Sequence, residues 1–238
     1  MGVEGEPPTE GEIQEVRAIL AKKLEEIDAE ELDQAFLSKI AAEPDYLARF
    51  WKHVFANPGP QTEETAIMVV NTARWRKEFN TGQIQDVDFS AQHLERGTLF
   101  SRNRDKDGMK LLVFCVGKHV KGIEKAEDMK KLFVYYLERM TREEGLAQFS
   151  IVFDCRNAGL KNMDMEFTQF MINTMKDYYP DPLNYIIVFE MPWVLNAAFK
   201  IIKVNTPGLN LVRNTKQFLF SCQGFNLKMY CPIKDLNI

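Results

Sequence analysis

Hydrophobic residues recur at steps of three and four positions through the first part of the chain, which is the spacing of one helix face. A first amphipathic helix is predicted by Ile13, Val16, Leu20, Leu24 and Ile27. A second, short helix is predicted over residues 29–42. A third should follow the break at Pro44, because Leu47, Phe50, Trp51 and Val54 lie on one helix face.

A fourth helix is predicted after the Asn57-Pro58-Gly59-Pro60 break, with Thr62 as its N-cap and acidic residues in its first turn. Its pattern extends to about Phe79 and contains Ala66, Val69, Val70, Ala73 and Trp75. Residues 1–80 are therefore predicted to form an all-helical subdomain.

From Leu99 the pattern changes to short apolar runs separated by helical stretches. The runs at 111–116 (LLVFCV), 150–154 (SIVFD) and 185–191 predict three strands. The intervening stretches have helical spacing, and Asn162 or Asp164 is a plausible cap for the second. The alternation predicts an α/β fold with a mostly parallel sheet and right-handed crossover helices over residues 95–238.

Charge divides the chain unevenly. The net charge is -4, but residues 1–35 contain eleven acidic and three basic residues, so the rest of the chain is mildly basic. An acidic arm on a basic body fits binding to an anionic surface, and it equally fits a solvated helix face. No concentrated basic patch indicates nucleic-acid binding, so no nucleic-acid partner is predicted.

The potential metal ligands are scattered. The four cysteines form no C-x-x-C pair, and His53, His93 and His119 are far apart, so neither a metal site nor a cofactor is predicted. The N-terminal residues lack the features of a signal peptide, and no run of 18 apolar residues occurs. These features predict a reduced, cytoplasmic protein.

The familiar catalytic and binding motifs are incomplete or missing in this sequence. A calcium-loop pattern beginning at Asn103 has Phe114 where the bidentate Glu is needed, so a turn at Asp107-Gly108 is the better interpretation. Phosphate-binding glycine loops and a G-x-S-x-G elbow are missing from the sequence. Asp154 follows a strand, but a structural role in the turn is favoured, so no catalytic residue is assigned and no enzymatic activity is predicted.

Large, flexible apolar side chains are unusually frequent on the predicted crossover helices. Such stripes are more often core than cavity, but they can also line a hydrophobic ligand pocket. The candidate pocket residues, including two on strands, are Phe133, Tyr136, Met140, Phe153, Phe170, Met171, Met175 and Phe189.

Two regions carry a family resemblance. One is DYLARFWKHVFANPGPQTEETAIMVVNTARWRKEF, beginning at Asp45; the other is residues 151–203, with IVFDCRNAGL, then Tyr178-Tyr179-Pro180, then MPWVLNAAFKIIK in order. These segments resemble the CRAL-TRIO, or Sec14-like, lipid-binding proteins. The resemblance implies a helical subdomain packed on an α/β domain whose sheet floors a lipid pocket.

The resemblance also implies a gate helix that closes the pocket, over residues 194–203 and following Pro192. Its apolar side, with the preceding Trp, would be Trp193, Leu195, Ala198, Phe199 and Ile202, while Lys200 and Lys203 would meet headgroups or the membrane. In phosphatidylinositol-binding relatives a Glu on the preceding crossover helix helps hold the headgroup, and Phe170 occupies that position here. The resemblance therefore implies a generic hydrophobic ligand more than a phosphoinositide.

Beyond Lys203 the match deteriorates, so an atypical or shortened C-terminal end is expected. The leading hypothesis is a non-enzymatic carrier of a hydrophobic ligand, a phospholipid by preference, that transiently contacts anionic membranes. Such a carrier would be peripheral to intracellular membranes, among which the endoplasmic reticulum is a candidate. The alternative is an interaction module that uses the same fold to bind a protein partner or a membrane surface without a bound lipid.

Overall fold

The computed structural model describes residues 7–54, 60–105, 107–123, 125–195 and 211–214 of the chain. The N-terminal part is helical, as predicted. Its four helices are α1 (Glu10–Glu25), α2 (Gln34–Ala42), α3 (Pro44–Val54) and α4 (Gln61–Phe79). Their apolar faces share one core that includes Val16, Leu47, Phe50, Ala66 and Val69, all of them fully buried.

Local capping explains where the first two helices begin. Thr9 and Glu12 form a reciprocal capping box at the start of α1. The single helix predicted over residues 29–42 is wrong in one respect, because a 3-10 turn (Ala29–Glu31) precedes α2. The Asp33 side chain accepts the backbone N–H of Phe36 and so starts a new helix at that point.

The predicted cap of α4 is also wrong. The helix begins at Gln61 after Pro60, whose side chain makes no capping hydrogen bond. The Thr62 side chain is buried inside the first turn, and its hydroxyl donates to Glu15 Oε1 at 3.4 Å. At the other end, Asn80 adopts the left-handed conformation that ends many helices.

The second part is an α/β unit. A short helix α5 (Ala91–Arg96) leads into β1 (Leu99–Arg104) and β2 (Lys110–Cys115), after which come α6 (Ala126–Glu144), β3 (Phe149–Asp154), α7 (Met165–Asp177), β4 (Leu183–Phe189) and β5 (Leu211–Asn214). The strands lie in the order β1-β2-β3-β4-β5, and every neighbouring pair after β1-β2 is parallel. The predicted mostly parallel sheet is confirmed.

The antiparallel hairpin β1-β2 adds an edge strand that the sequence pattern did not predict. The turn at Asp107-Gly108 is confirmed, because Asp105 accepts the backbone N–H groups of Asp107 and Met109. Gly108 has a positive φ of 83° in that turn. Pairing becomes irregular between Ser101 and Arg104, and Asn103 within this stretch has a φ of 62°.

The two faces of the sheet contribute to different apolar clusters. Leu112, Phe114, Ile151 and Val188 belong to the main core together with the buried faces of α6 and α7. On the opposite face a smaller cluster contains Leu111, Val152 and Ile187, with Val113 and Tyr185 packed against it. All described members of that second cluster are strand residues.

A buried polar network joins the helical part to the α/β unit. Arg76 of α4 donates two hydrogen bonds to Glu138 of α6, at 2.7 and 2.8 Å, and a third to Asp33 at 3.1 Å. The hydroxyl of Tyr179 also donates to Glu138. Beside this network the ring of Trp75 stacks on Tyr178 with 4.4 Å between centroids.

A second polar contact joins α3 to the loop before β4. His53 Nδ1 accepts the backbone N–H of Asp181, so Nε2 carries the proton that is shared with the Lys176 carbonyl at 2.7 Å. Arg49 donates to the carbonyls of Leu146 and Asp181. These contacts orient the helical part against the ends of both crossover helices.

Candidate functional site

Three loops meet at one edge of the sheet because they follow parallel strands. The last residues of β2, β3 and β4 are paired in register as Cys115, Asp154 and Phe189. The Asn162 side-chain amide donates to the carbonyls of Gly117 and His119, which connects the second loop to the first. The three connections leave from the edge of the sheet where α/β proteins commonly place their sites.

Gly117 shows how closely the first two loops approach. A Cβ atom at this position would lie 2.4 Å from the Arg156 carbonyl oxygen. Any larger residue would therefore push the loops apart.

A cavity of about 70 Å³ lies between this edge and the beginning of α7. Its wall is mostly apolar, and a few polar side chains lie among the apolar ones, which is the general character of small-molecule sites. The lining residues are Phe114, Val116, His119, Phe153, Cys155, Asn162, Met163, Asp164, Met165, Thr168, Val188, Met191 and Leu195.

His119 and Asp164, both in the wall, pair with each other. His119 Nε2 lies 3.1 Å from Asp164 Oδ2, and Asp164 Oδ1 accepts the backbone N–H of Phe167 as the N-cap of α7. Burial alone would raise the pKa of Asp164, but the Phe167 N–H and His119 outweigh it, and the pKa is lowered overall. The carboxylate therefore fixes the start of α7 and the position of the histidine ring.

The other chemically versatile group in the wall is inert. Burial, with a smaller contribution from Asp154, raises the pKa of Cys155 to about 12, so the thiol stays protonated near neutral pH. The predicted structural role of Asp154 is confirmed, because its carboxylate accepts the backbone N–H and the guanidinium of Arg156.

Most of the predicted pocket side chains are not among the residues that line the cavity. Phe133, Met140, Met171 and Met175 are buried in the main core between the helices and the sheet, with Tyr136 in the same cluster. Phe170 is half-buried, and its ring lies 5.9 Å from Phe79 and 6.3 Å from Phe133 between centroids. These contacts form an aromatic layer that reaches the helical part.

The two strand residues of the predicted set differ. Phe153 lines the cavity. Phe189 lies at the end of β4, where the Arg156 guanidinium is 5.5 Å from its ring centroid.

The predicted gate residues are described only in part. Trp193 and Leu195 form a 3-10 turn (Trp193–Leu195), in which the Trp193 side chain is 82% exposed while Leu195 is buried against the cavity. Ala198, Phe199, Lys200, Ile202 and Lys203 lie outside the described residues.

Several lining residues were missed by sequence reasoning. His119 and Asp164 are 45 positions apart, and only the in-register ends of β2 and β3 bring their loops together. Met163, Met165 and Met191 have no periodic pattern because they lie in loops or at the start of α7. The one available signal was Asp164 itself, which was considered as a cap and is confirmed in that role.

Within the described ranges, no group of three or more His, Cys, Asp or Glu side chains is arranged to hold a metal ion. The helices in those ranges are also too short or too polar to span a membrane.

Comparison with known proteins gives this edge of the sheet its context. Residues 94–210 match the model of the CRAL/TRIO domain family, and they include β1 to β4 and the residues that connect β4 to β5. This segment is similar to the CRAL/TRIO domain. It contains every residue that lines the cavity.

Two curated relatives extend the likeness. A CRAL-TRIO domain-containing protein of Schizosaccharomyces pombe is 29% identical over 147 residues, which cover 57% of this chain and 33% of the relative. The phosphatidylinositol transfer protein CSR1 of Eremothecium gossypii is 23% identical over 222 residues, which cover 84% of this chain and 48% of the relative. The chain thus spans between a third and a half of the length of these proteins.

The fold is also known from a solved structure. The crystal structure of Sfh5 matches with a TM-score of 0.58 and 17% sequence identity, covering 89% of this chain and 86% of that one. At this level of identity the likeness shows the fold alone. The segment similar to the CRAL/TRIO domain and the helical part that precedes it therefore together have the fold of a solved structure.

Proposed function

We propose that this protein binds a hydrophobic ligand, a phospholipid, and carries it between membranes without a catalytic step. One observation carries the proposal: the segment that matches the CRAL/TRIO domain is also the segment that holds the apolar cavity. The similarity to a phosphatidylinositol transfer protein over 84% of the chain supports a lipid as the ligand.

The gate is part of this proposal. β4 and β5 are parallel neighbours, and such strands are joined by right-handed crossovers in nearly all proteins. A gate formed by the segment between them would therefore lie on the same face of the sheet as α6 and α7. Met191 and Leu195, the described residues that lead into it, already line the cavity. Phe199 and Ile202 would face the ligand, while Lys200 and Lys203 would face the membrane.

A cavity of about 70 Å³ is far smaller than the roughly 300 Å³ at the lower end of small-molecule sites. Lipid binding therefore requires the wall to move. Met163, Met165 and Met191 are the flexible part of that wall, since thioether side chains change rotamer easily. Movement of these side chains together with the gate would open the space in front of Phe153 and the aromatic layer behind it.

The energetic reason for a carrier is the cost of moving a lipid through water. Each CH₂ group contributes about 0.8 kcal/mol, so an acyl chain of about sixteen carbons prefers an apolar environment by roughly 13 kcal/mol. A protein that offers an apolar site and opens at a membrane removes most of that barrier. Because Phe170 is an aromatic packing residue here, we expect affinity for the acyl chains with little selectivity for inositol.

The first test is mass spectrometry of the organic extract from natively purified protein. We expect about one lipid per chain, and a large reduction in Thr168→Trp, which would fill the cavity. Asn173→Trp, on the exposed side of the same helix, is the matched control and should retain the lipid. Transfer between liposomes should fall in Thr168→Trp and in Phe199→Asp but not in the control.

A second candidate function has its own supporting observation. Phe170 and Met175 already fill the space between the crossover helices, so the same fold could act as an interaction module that binds a protein partner or a membrane surface without cargo. Folded protein with an empty extract and no transfer activity would favour this alternative.

The domain boundaries and the nearest relationship are proposed in the same way. We propose units of residues 1–80 and 95–238, which limited proteolysis between them would test.

The MPW, NAAFKI and WRKE segments support a closeness to the N-terminal domain of motile sperm domain-containing protein 2. A structure of that domain that superposes less well than Sfh5 would contradict this closeness.

A further inference from the structure

The loops that follow β2, β3 and β4 carry large apolar side chains that are exposed to solvent. Ile123 in the first loop is 64% exposed, Leu160 in the second 63%, and Trp193 in the third 82%. Met163 is also exposed, at the rim of the cavity. Exposed large apolar side chains on three loops that leave the same edge of the sheet are unusual on a surface that contacts only water.

Basic side chains accompany these apolar ones. Lys121 and Lys125 flank Ile123, Lys161 follows Leu160, and all three are exposed. None of the three forms an ion pair within the described part of the chain. We call these residues, Lys121, Ile123, Lys125, Leu160, Lys161, Met163 and Trp193, the loop surface.

The acidic groups near this positive charge are mostly engaged within the protein. Glu127 and Glu166, in the first turns of α6 and α7, both contact Lys130, and Lys121 contributes to the lowered pKa of Asp164. Asp164 is engaged by His119 and by the α7 backbone, and Asp154 by Arg156. Glu190 is exposed at the start of the third loop, and Glu124 lies outside the described residues. The loop surface therefore combines protruding apolar groups with lysines that are available to an anionic partner.

The loops are also held in position. Asn162 ties the second loop to the first through two carbonyls, and Gly117 packs against the backbone at Arg156. The third loop meets the others around the cavity, through Met191 and Leu195. An anchored surface loses little conformational entropy when it binds.

We propose that the loop surface docks the protein on an anionic lipid bilayer. Trp193, Ile123 and Leu160 would enter the headgroup region, where aromatic and aliphatic side chains are favoured, while the lysines meet anionic headgroups. Because Met163, Met191 and Leu195 of the second and third loops line the cavity, docking through these loops would bring the cavity close to the bilayer. This proposal rests on the proposed lipid-carrier function and specifies which surface meets the membrane.

The test measures binding of the full chain to vesicles of phosphatidylcholine with 30% phosphatidylserine, by sedimentation. Each lysine near an anionic surface contributes about fivefold to partitioning, so Lys121→Gln/Lys125→Gln/Lys161→Gln should bind on the order of 100-fold more weakly. The control Lys22→Gln/Lys52→Gln/Lys77→Gln removes three exposed lysines from the helical part and should bind like the wild type. Equal losses in the two triple variants would overturn the proposal.

Apolar insertion has a separate pair of variants. Ile123→Asn/Leu160→Asn should weaken vesicle binding by tenfold or more. The control Val87→Asn/Leu94→Asn, which alters two exposed apolar residues outside the loop surface, should have little effect. Vesicles with brominated acyl chains should quench Trp193, and Trp193→Phe should abolish this quenching. Binding without quenching of Trp193 would refute the orientation.

Failure of docking and failure of the carrier function are distinguishable. The loop variants should still contain stoichiometric lipid in their extracts, since the altered side chains are outside the cavity wall. If the protein carries lipid and the loop variants bind vesicles normally, the docking surface is wrong and the carrier function stands. If vesicle binding depends on the loop surface but the extract is empty, docking stands and the carrier function fails.

Discussion

Arg76 offers the sharpest test of how the two parts of the molecule are held together. Its side chain is 13% exposed and donates two hydrogen bonds to Glu138, whose side chain is 18% exposed. Burial alone would raise the pKa of Glu138, but hydrogen bonds and charge from Arg76, with help from the Tyr179 hydroxyl, lower it overall. The carboxylate is therefore kept ionised in a place that water hardly reaches.

Replacing Arg76 with leucine would leave that carboxylate buried and uncompensated. Removing one partner of a buried pair costs about 3–5 kcal/mol, so Arg76→Leu should lower the free energy of unfolding by that amount. The pKa of Glu138 should rise above its ordinary value, because burial is then the largest remaining influence. Arg76→Leu/Glu138→Leu should recover at least half of the loss, since neither charge remains unpaired.

Arg74 on the same helix is the matched control. Its side chain is 39% exposed and lies 4.0 Å from Glu31, which is 60% exposed, so Arg74→Leu should cost less than about 1 kcal/mol. Urea denaturation of the four proteins, followed by circular dichroism, measures the differences. If Arg76→Leu is no less stable than Arg74→Leu, the network is a surface feature and the reasoning fails.

Three further changes test other parts of the structure. Burial lowers the pKa of His53 below 6.5, and the protonated ring could not accept the Asp181 N–H, so the melting temperature should fall as pH drops below about 6.5. His53→Gln should reduce this pH dependence. If the pH dependence is unchanged in His53→Gln, His53 is not the titrating group. Gly117→Ala should destabilise the protein by about 1–3 kcal/mol in thermal unfolding, because its Cβ would meet the Arg156 carbonyl. The control Gly159→Ala, where the space is open, should be nearly neutral, and equal effects of the two substitutions would contradict the close approach. Asp164→Ala should lower the free energy of unfolding by about 2 kcal/mol through loss of the α7 cap, and hydrogen exchange at the amide of Phe167 should increase. An unprotected Phe167 amide in the wild type would argue against the cap.

The elements that sequence reasoning predicted are those whose pattern is local. α1 and α3 each place their apolar residues on one face, and β2, β3 and β4 are buried on both faces, so their runs are continuously hydrophobic. β1 was missed because four of the six residues of LFSRNR are polar. It is an edge strand whose last residues are exposed, and it pairs with β2. β5 consists of four residues and is defined by pairing with β4.

The candidate site was less predictable because it depends on register. The cavity wall combines residues from three loops, and the meeting of His119 with Asp164 follows from the alignment of β2 with β3. The crossover-helix residues that stood out in the sequence, such as Phe133 and Met171, share a composition with pocket walls, but their positions are fixed by packing against each other. Composition could not identify which side chains border open space.

The irregular end of β1 has a consequence for the behaviour of the protein in concentrated solution. An edge strand exposes unpaired N–H and C=O groups, which can recruit a strand from another chain and start aggregation. Here the regular pairing stops between Ser101 and Arg104, Asn103 turns the backbone with its positive φ, and Arg102 and Arg104 add charge. An approaching strand could add only a few hydrogen bonds before meeting this obstruction, so this side of the sheet is protected against intermolecular growth.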